Sequence, residues 1–181
     1  IYPGKAGYWQ TGFPGGNHEY LVDGGNGGRD MDGRTLFFYL ATVNTPAMVL
    51  ELPGVGSQYT FSSRDSSGAY LDGSKTYKVN IPANPPAQRF WSFVVYDPQT
   101  RSMLQSKEMP YPSKNNKRNP EMAKNADGSI DLYFGPEAPA GQEANWVKTV
   151  PGKGWFGIFR LYGPGQEWFD RSWKLGAIEQ L

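Results

Sequence analysis

The segment GWFGIFRLYG, residues 154–163, decides the fold. At a period of two, Trp155, Gly157, Phe159 and Leu161 fall on one face, and Phe156, Ile158, Arg160 and Tyr162 on the other. Both faces are largely apolar, so the segment reads as a strand covered on both sides. RFWSFVVYDP has the same character, with Trp91, Phe93 and Val95 opposite Phe90, Val94 and Tyr96. Three further segments alternate more simply. In SQYTFSSRD the apolar positions are Tyr59 and Phe61; in KTYKVNIP, Tyr77, Val79 and Ile81; in NADGSIDLYFG, Ile130, Leu132 and Phe134, behind an expected hairpin turn at Asp127-Gly128. Five strands without helices between them predict a mainly β, antiparallel sandwich, and the long joining loops favour a jelly-roll type.

One helix is expected. In DMDGRTLFFYLATVNTP, Asp30 can cap a helix running to about residue 43 before Pro46 ends it. Its apolar residues spread around most of the circumference, which predicts burial against the rest of the molecule, another domain or another subunit. Residues 1–28 are rich in glycine and read as an irregular arm; residues 29–181 read as the sandwich domain.

Composition narrows the function. Eighteen Lys plus Arg against seventeen Asp plus Glu steer the chain toward neither nucleic acid nor an anionic membrane. The basic run KNNKRN, residues 114–119, has no interleaved aromatics and reads as a solvated loop. With no cysteine, a disulfide, a zinc thiolate site or a thiol nucleophile is excluded. The single histidine, His18, leaves one candidate imidazole base and no two-histidine metal site. No apolar run approaches the roughly 20 residues of a membrane span.

The strings GRDMDGRTLFFYLATVNTPAM, YLDGSKTYKVNIPANPPAQRFWSFVVYDPQTRSML, NADGSIDLYFGPEAPAGQEANWVKT and PGKGWFGIFRLYGP together resemble a bacterial family, the domain of unknown function 1214. It usually follows a companion, the domain of unknown function 1254, in the same chain; no stretch here resembles the companion. The resemblance implies a jelly-roll β-sandwich over residues 29–181 and, often, export to the periplasm or exterior. It implies no established activity, and no catalytic residues are carried over.

The residues themselves offer five ligand-binding candidates. Asn145-Trp146 either stacks and hydrogen-bonds a sugar at a pocket rim or pins a loop to the core, the second being favoured. Arg160 sits mid-strand among aromatics, where it either grips a ligand carboxylate or pairs with Asp97 or Asp131. Arg101, on the loop DPQTRSML, carries the same ambiguity, and Tyr162 shares the face of Arg160. Asp65, Asp72 and the run Asp23, Asn26, Asp30, Asp32 lack calcium-loop spacing and read as turns and a cap, so no metal or cofactor is expected. There is no Gly-x-Ser-x-Gly elbow. Two function classes follow. One is a binding or assembly module for a glycan, a small polar ligand, the companion domain or an identical subunit. The alternative is a hydrolase or lyase on a saccharide or small polar substrate, using Arg160 and loop carboxylates such as Asp131, Glu137 and Glu143.

Overall fold

In a computed structural model that describes residues 9–13, 16–41 and 43–181, the 154–163 segment becomes a central strand of one of two sheets. The first sheet is antiparallel, in the order β1 (Ser57–Ser62), β7 (Phe156–Pro164), β3 (Ala87–Tyr96), β4 (Ser113–Asn115). The second runs β6 (Trp146–Lys148), β5 (Ile130–Gly135), β2 (Tyr77–Ile81), β8 (Ile178–Gln180). Its β6 joins β5 in parallel. The jelly-roll connectivity implied by the resemblance is narrower than these ladders establish; they define a mainly antiparallel two-sheet architecture.

Period-two alternation builds the core directly. Trp91, Phe93 and Val95 of β3 lie in register with Leu161, Phe159 and Gly157 of β7. These side chains bury themselves against Val79, Ile81, Leu132 and Phe134 of the other sheet. Across the layers the rings of Phe93 and Phe134 are 4.7 Å apart, and Phe134 stacks on Trp155 at 5.1 Å. Each such side chain removed from water contributes roughly 1.5–3 kcal/mol. Gly157 is glycine because Phe93 fills its space: a Cβ there would lie 2.5 Å from the Phe93 ring.

Several expectations need correction. Asp127-Gly128 makes a local turn, with Gly128 N–H donating to Asn125 O at 2.9 Å, but no hairpin, since β5 pairs with β2 and β6. The run at 114–119 is not all solvated loop. Lys114 and Asn115 belong to β4 and are buried, and Asn115 Oδ1 accepts the backbone N–H groups of Lys117 and Arg118. The short strands β4, β6 and β8 span three residues each, too few for any alternation to show.

Helix α1 (Met31–Ala41) forms where expected, and Asp30 Oδ1 accepts the Gly33 N–H at 2.8 Å. Within this chain the helix is buried only in part. Only Gly33 and Phe37 are buried, while Phe38 and Met31 are 62% and 57% exposed. The helix touches the molecule along one stripe, where Phe37 packs on Phe13 at 4.4 Å in a small cluster with Tyr20 and Val49. The preceding arm is anchored from both sides. Trp9 enters the main core and its indole N–H donates to Gly176 O at 2.9 Å. Gln10 exchanges backbone hydrogen bonds with Phe61 on the open edge of β1, where unpaired groups would otherwise invite another strand. Among the described residues no helix is long and apolar enough to cross a membrane.

Candidate functional site

The outward face of the first sheet carries the chain's most chemically distinctive arrangement. Arg160 stands on β7 between Tyr59 of β1 and Ser92 of β3, with Ile158 and Tyr162 two residues to either side. Its Nη2 donates to the Tyr96 hydroxyl, and the guanidinium carbon lies 5.8 Å from the ring centres of both Tyr59 and Tyr96. Burial pushes the Tyr96 phenol above its ordinary pKa, and the nearby Arg160 charge opposes that shift. Tyr162 stacks on Phe90 at 4.1 Å beside this group.

No carboxylate reaches Arg160. The expected partners are both elsewhere: Asp97 binds Lys153 Nζ at 2.6 Å, and Asp131 accepts from Asn80 Nδ2 at 2.7 Å in the second sheet. Strand alternation turns Arg160 away from the layer that holds Asp131. The residues outside the described set include no Asp or Glu. Arg160 Nε is buried and has no hydrogen-bond partner among the described residues. A buried donor left in that state costs about 1–3 kcal/mol or more when it belongs to a charged group.

Helix α1 and this face together line a partly open hollow of about 310 Å³. Phe37 and Leu40 line it from the helix, and Phe61, Ile158, Tyr59 and Arg160 from the sheet. Arg160 is the one ionic residue in that lining among the described residues. A second hollow of about 260 Å³ adjoins it, sharing Phe13, Met48 and Tyr59 and adding Glu51, Gln58 and Arg171.

The far end of α1 is tied to the turn after β3. Tyr39 donates its hydroxyl to Pro98 O at 2.8 Å, while Arg101 Nη1 donates to Tyr39 O at 3.2 Å and the guanidinium stacks 4.9 Å over the Tyr39 ring. Arg101 holds a left-handed backbone, φ 62°, to make this reach. Asp97 organises the same turn. The Lys153 ammonium holds its carboxyl below the ordinary value of 3.8, burial opposes this, and the N–H groups of Gln99 and Thr100 assist the lowering. A depressed folded pKa stabilises the fold above the unfolded pKa, and that contribution is lost as pH falls through the folded value. The stability gap between wild type and Lys153→Met is therefore expected to close as denaturation is repeated from about pH 7 down to about pH 3.

Asn145 and Trp146 lie apart from this face, at β5 and β6. Asn145 is 2% exposed; its Oδ1 accepts Ala123 N–H at 2.8 Å, and its Nδ2 donates to Ala123 O and Asp131 O at 2.9 Å each. Trp146 donates its indole N–H to Gly135 O at 2.9 Å. The pair staples the loops before and after β5, with its polar groups spent on backbone. The acidic turns are likewise self-satisfied. Asp65 Oδ1 accepts from Ser67 and Ala69, and Asp72 from Ser74. Among the described residues no three His, Asp or Glu side chains converge as metal ligands.

Of the five sequence candidates, the fold brings Arg160 and Tyr162 together, runs Arg101 to the helix above them, and sets Asn145 and Trp146 elsewhere. The cavity lining from Tyr59, Phe61, Phe37 and Leu40 escaped sequence reading. Its signal was present in two halves, a strand apolar on its outward face and a helix too apolar to stand alone. Nothing local joined them.

Comparison with known proteins agrees with this architecture. The VPA0106 protein of Vibrio parahaemolyticus is similar over 90% of this chain, with a TM-score of 0.62 and 23% identity, over 39% of its own length. An uncharacterised protein of Burkholderia cenocepacia gives a TM-score of 0.45 and 19% identity over 76% of this chain and 30% of its own. The chain thus spans well under half the length of either structure. No curated protein matches it. The model of a protein family of unknown function, DUF1214, matches residues 56–166, which run from β1 into α2 (Gln166–Phe169) and hold most of both sheets. With more than half its length inside that match, the chain belongs to the DUF1214 family.

Proposed function

We propose that this chain is a non-catalytic binding module whose ligand occupies the cavity between α1 and the outward face of the first sheet. The observation that carries this reading is Arg160, a cation that no carboxylate reaches, in a largely apolar hollow between α1 and the sheet. The cavity stands at the lower end of the roughly 300–1,000 Å³ range of ligand clefts, which suits a small molecule. A glycosidase-type pair of carboxyls works best when one of them is held protonated near neutrality. Each carboxyl here whose pKa moves clearly is pushed down: Asp65, Asp72, Asp97, Glu121, Asp127 and Asp170. A neutral fluorophore, N-phenyl-1-naphthylamine, is expected to bind saturably at one site per chain with enhanced emission. Ala41→Phe, which fills the cavity from the helix, is expected to abolish that signal. Absence of saturable binding to the wild type would overturn the reading.

A further inference from the structure

The identity of the ligand class can be argued from the lining, granting that the cavity is a binding site. A glycan or other polyol requires several donors and acceptors converging on it; beside Arg160 the lining side chains offer only the Tyr59 hydroxyl, which already accepts from Ser57, and Phe37, Leu40, Phe61 and Ile158 supply none. A phosphate dianion calls for more than one cation. The two nearby arginines are engaged: Arg101 with Tyr39, and Arg171 with Trp168 O at 2.6 Å. What remains is a single guanidinium at the floor of a hydrocarbon-lined hollow. Tyr96 holds Nη2 from the sheet side, which fixes the rotation of the fork. The buried Nε has no partner, and no Asp or Glu neutralises the charge. Low polarity around a fixed, unpaired cation strengthens its attraction for one anion and penalises a neutral or cationic occupant.

We propose that this cavity takes a small organic monoacid, an aromatic or branched aliphatic carboxylate, whose carboxylate accepts hydrogen bonds from Arg160 while its hydrocarbon body packs on Phe37, Leu40, Phe61 and Ile158. The planar guanidinium matches the planar carboxylate. The hollow is partly open to solvent, which gives the ligand its way in.

The test displaces N-phenyl-1-naphthylamine from the intact chain with matched pairs: phenylacetate against phenylacetamide, and isovalerate against isovaleramide. Each acid is expected to compete at least about tenfold better than its amide, since a hydrogen bond to a charged group outweighs a neutral one by that order. In Arg160→Met the acid is expected to lose that advantage, and in Arg160→Lys, which keeps the charge without the fork, to retain part of it. The acid–amide comparison within the wild type does not depend on either variant folding. Equal competition by acid and amide, preference for phenethylammonium, or fluorophore binding that neither acid displaces would each overturn the monoacid assignment while leaving the cavity as a site. Failure of the fluorophore itself to bind would overturn both.

Discussion

Phe134→Ala is expected to lower the free energy of unfolding by about 3–5 kcal/mol, the range for truncating a buried aromatic. Phe134 is fully buried and is the point where the two sheets meet, with Phe93 on one side and Trp155 on the other. Its removal leaves a void that the surrounding layers fill only in part, because each is held in place by its own hydrogen-bonded ladder. Domains have about 5–15 kcal/mol of stability in total, so this loss removes a large share of it. Phe134→Leu keeps most of the volume and should recover much of the loss. Denaturant titration by tryptophan emission measures both. A wild-type midpoint for Phe134→Ala would mean that the sheets do not pack through this residue.

Asn145→Ala should be the second most damaging change, at about 3 kcal/mol. One side chain satisfies three backbone groups across two loops, the N–H and C=O of Ala123 and the C=O of Asp131. Each group stranded in the interior costs about 1–3 kcal/mol, less whatever water recovers. Asn145→Asp is expected to be nearly as harmful, since it replaces the donor facing two carbonyls with an acceptor. Hydrogen exchange at the Ala123 amide should accelerate in either variant. Fluorophore binding beneath α1, measured on the folded fraction, should be unchanged. Unaltered stability together with lost ligand binding would instead make Asn145 a ligand group.

Different residues were legible in the sequence to different depths. For Phe93, Phe134 and Phe159, alternation along the strand was enough, because a side chain that must leave water chooses the face its apolar neighbours choose. The Asp30 cap and the span of α1 were legible for the same local reason. Asn145 could be read as a loop anchor from its setting, but its partners lie up to 22 residues away and no local pattern names them. The partner of Arg160 was not legible at all. Sequence offered Asp97 and Asp131, while the fold put one with Lys153 and the other in the opposite layer.

From the sequence alone came the mainly β class, the five longer strands, the one capped helix and the family resemblance that the family match bears out. The class, strands and helix rest on interactions within roughly ten residues of chain, where periodicity and turn chemistry act. Only the tertiary structure decided that α1 covers the outward face of β1 and β7, that a hollow remains between them, and that Arg160 faces that hollow without a counter-charge. Period two tells which residues share a face, but what lies beside that face is set by contacts between segments far apart in the chain, as α1 (Met31–Ala41) and β7 (Phe156–Pro164) are.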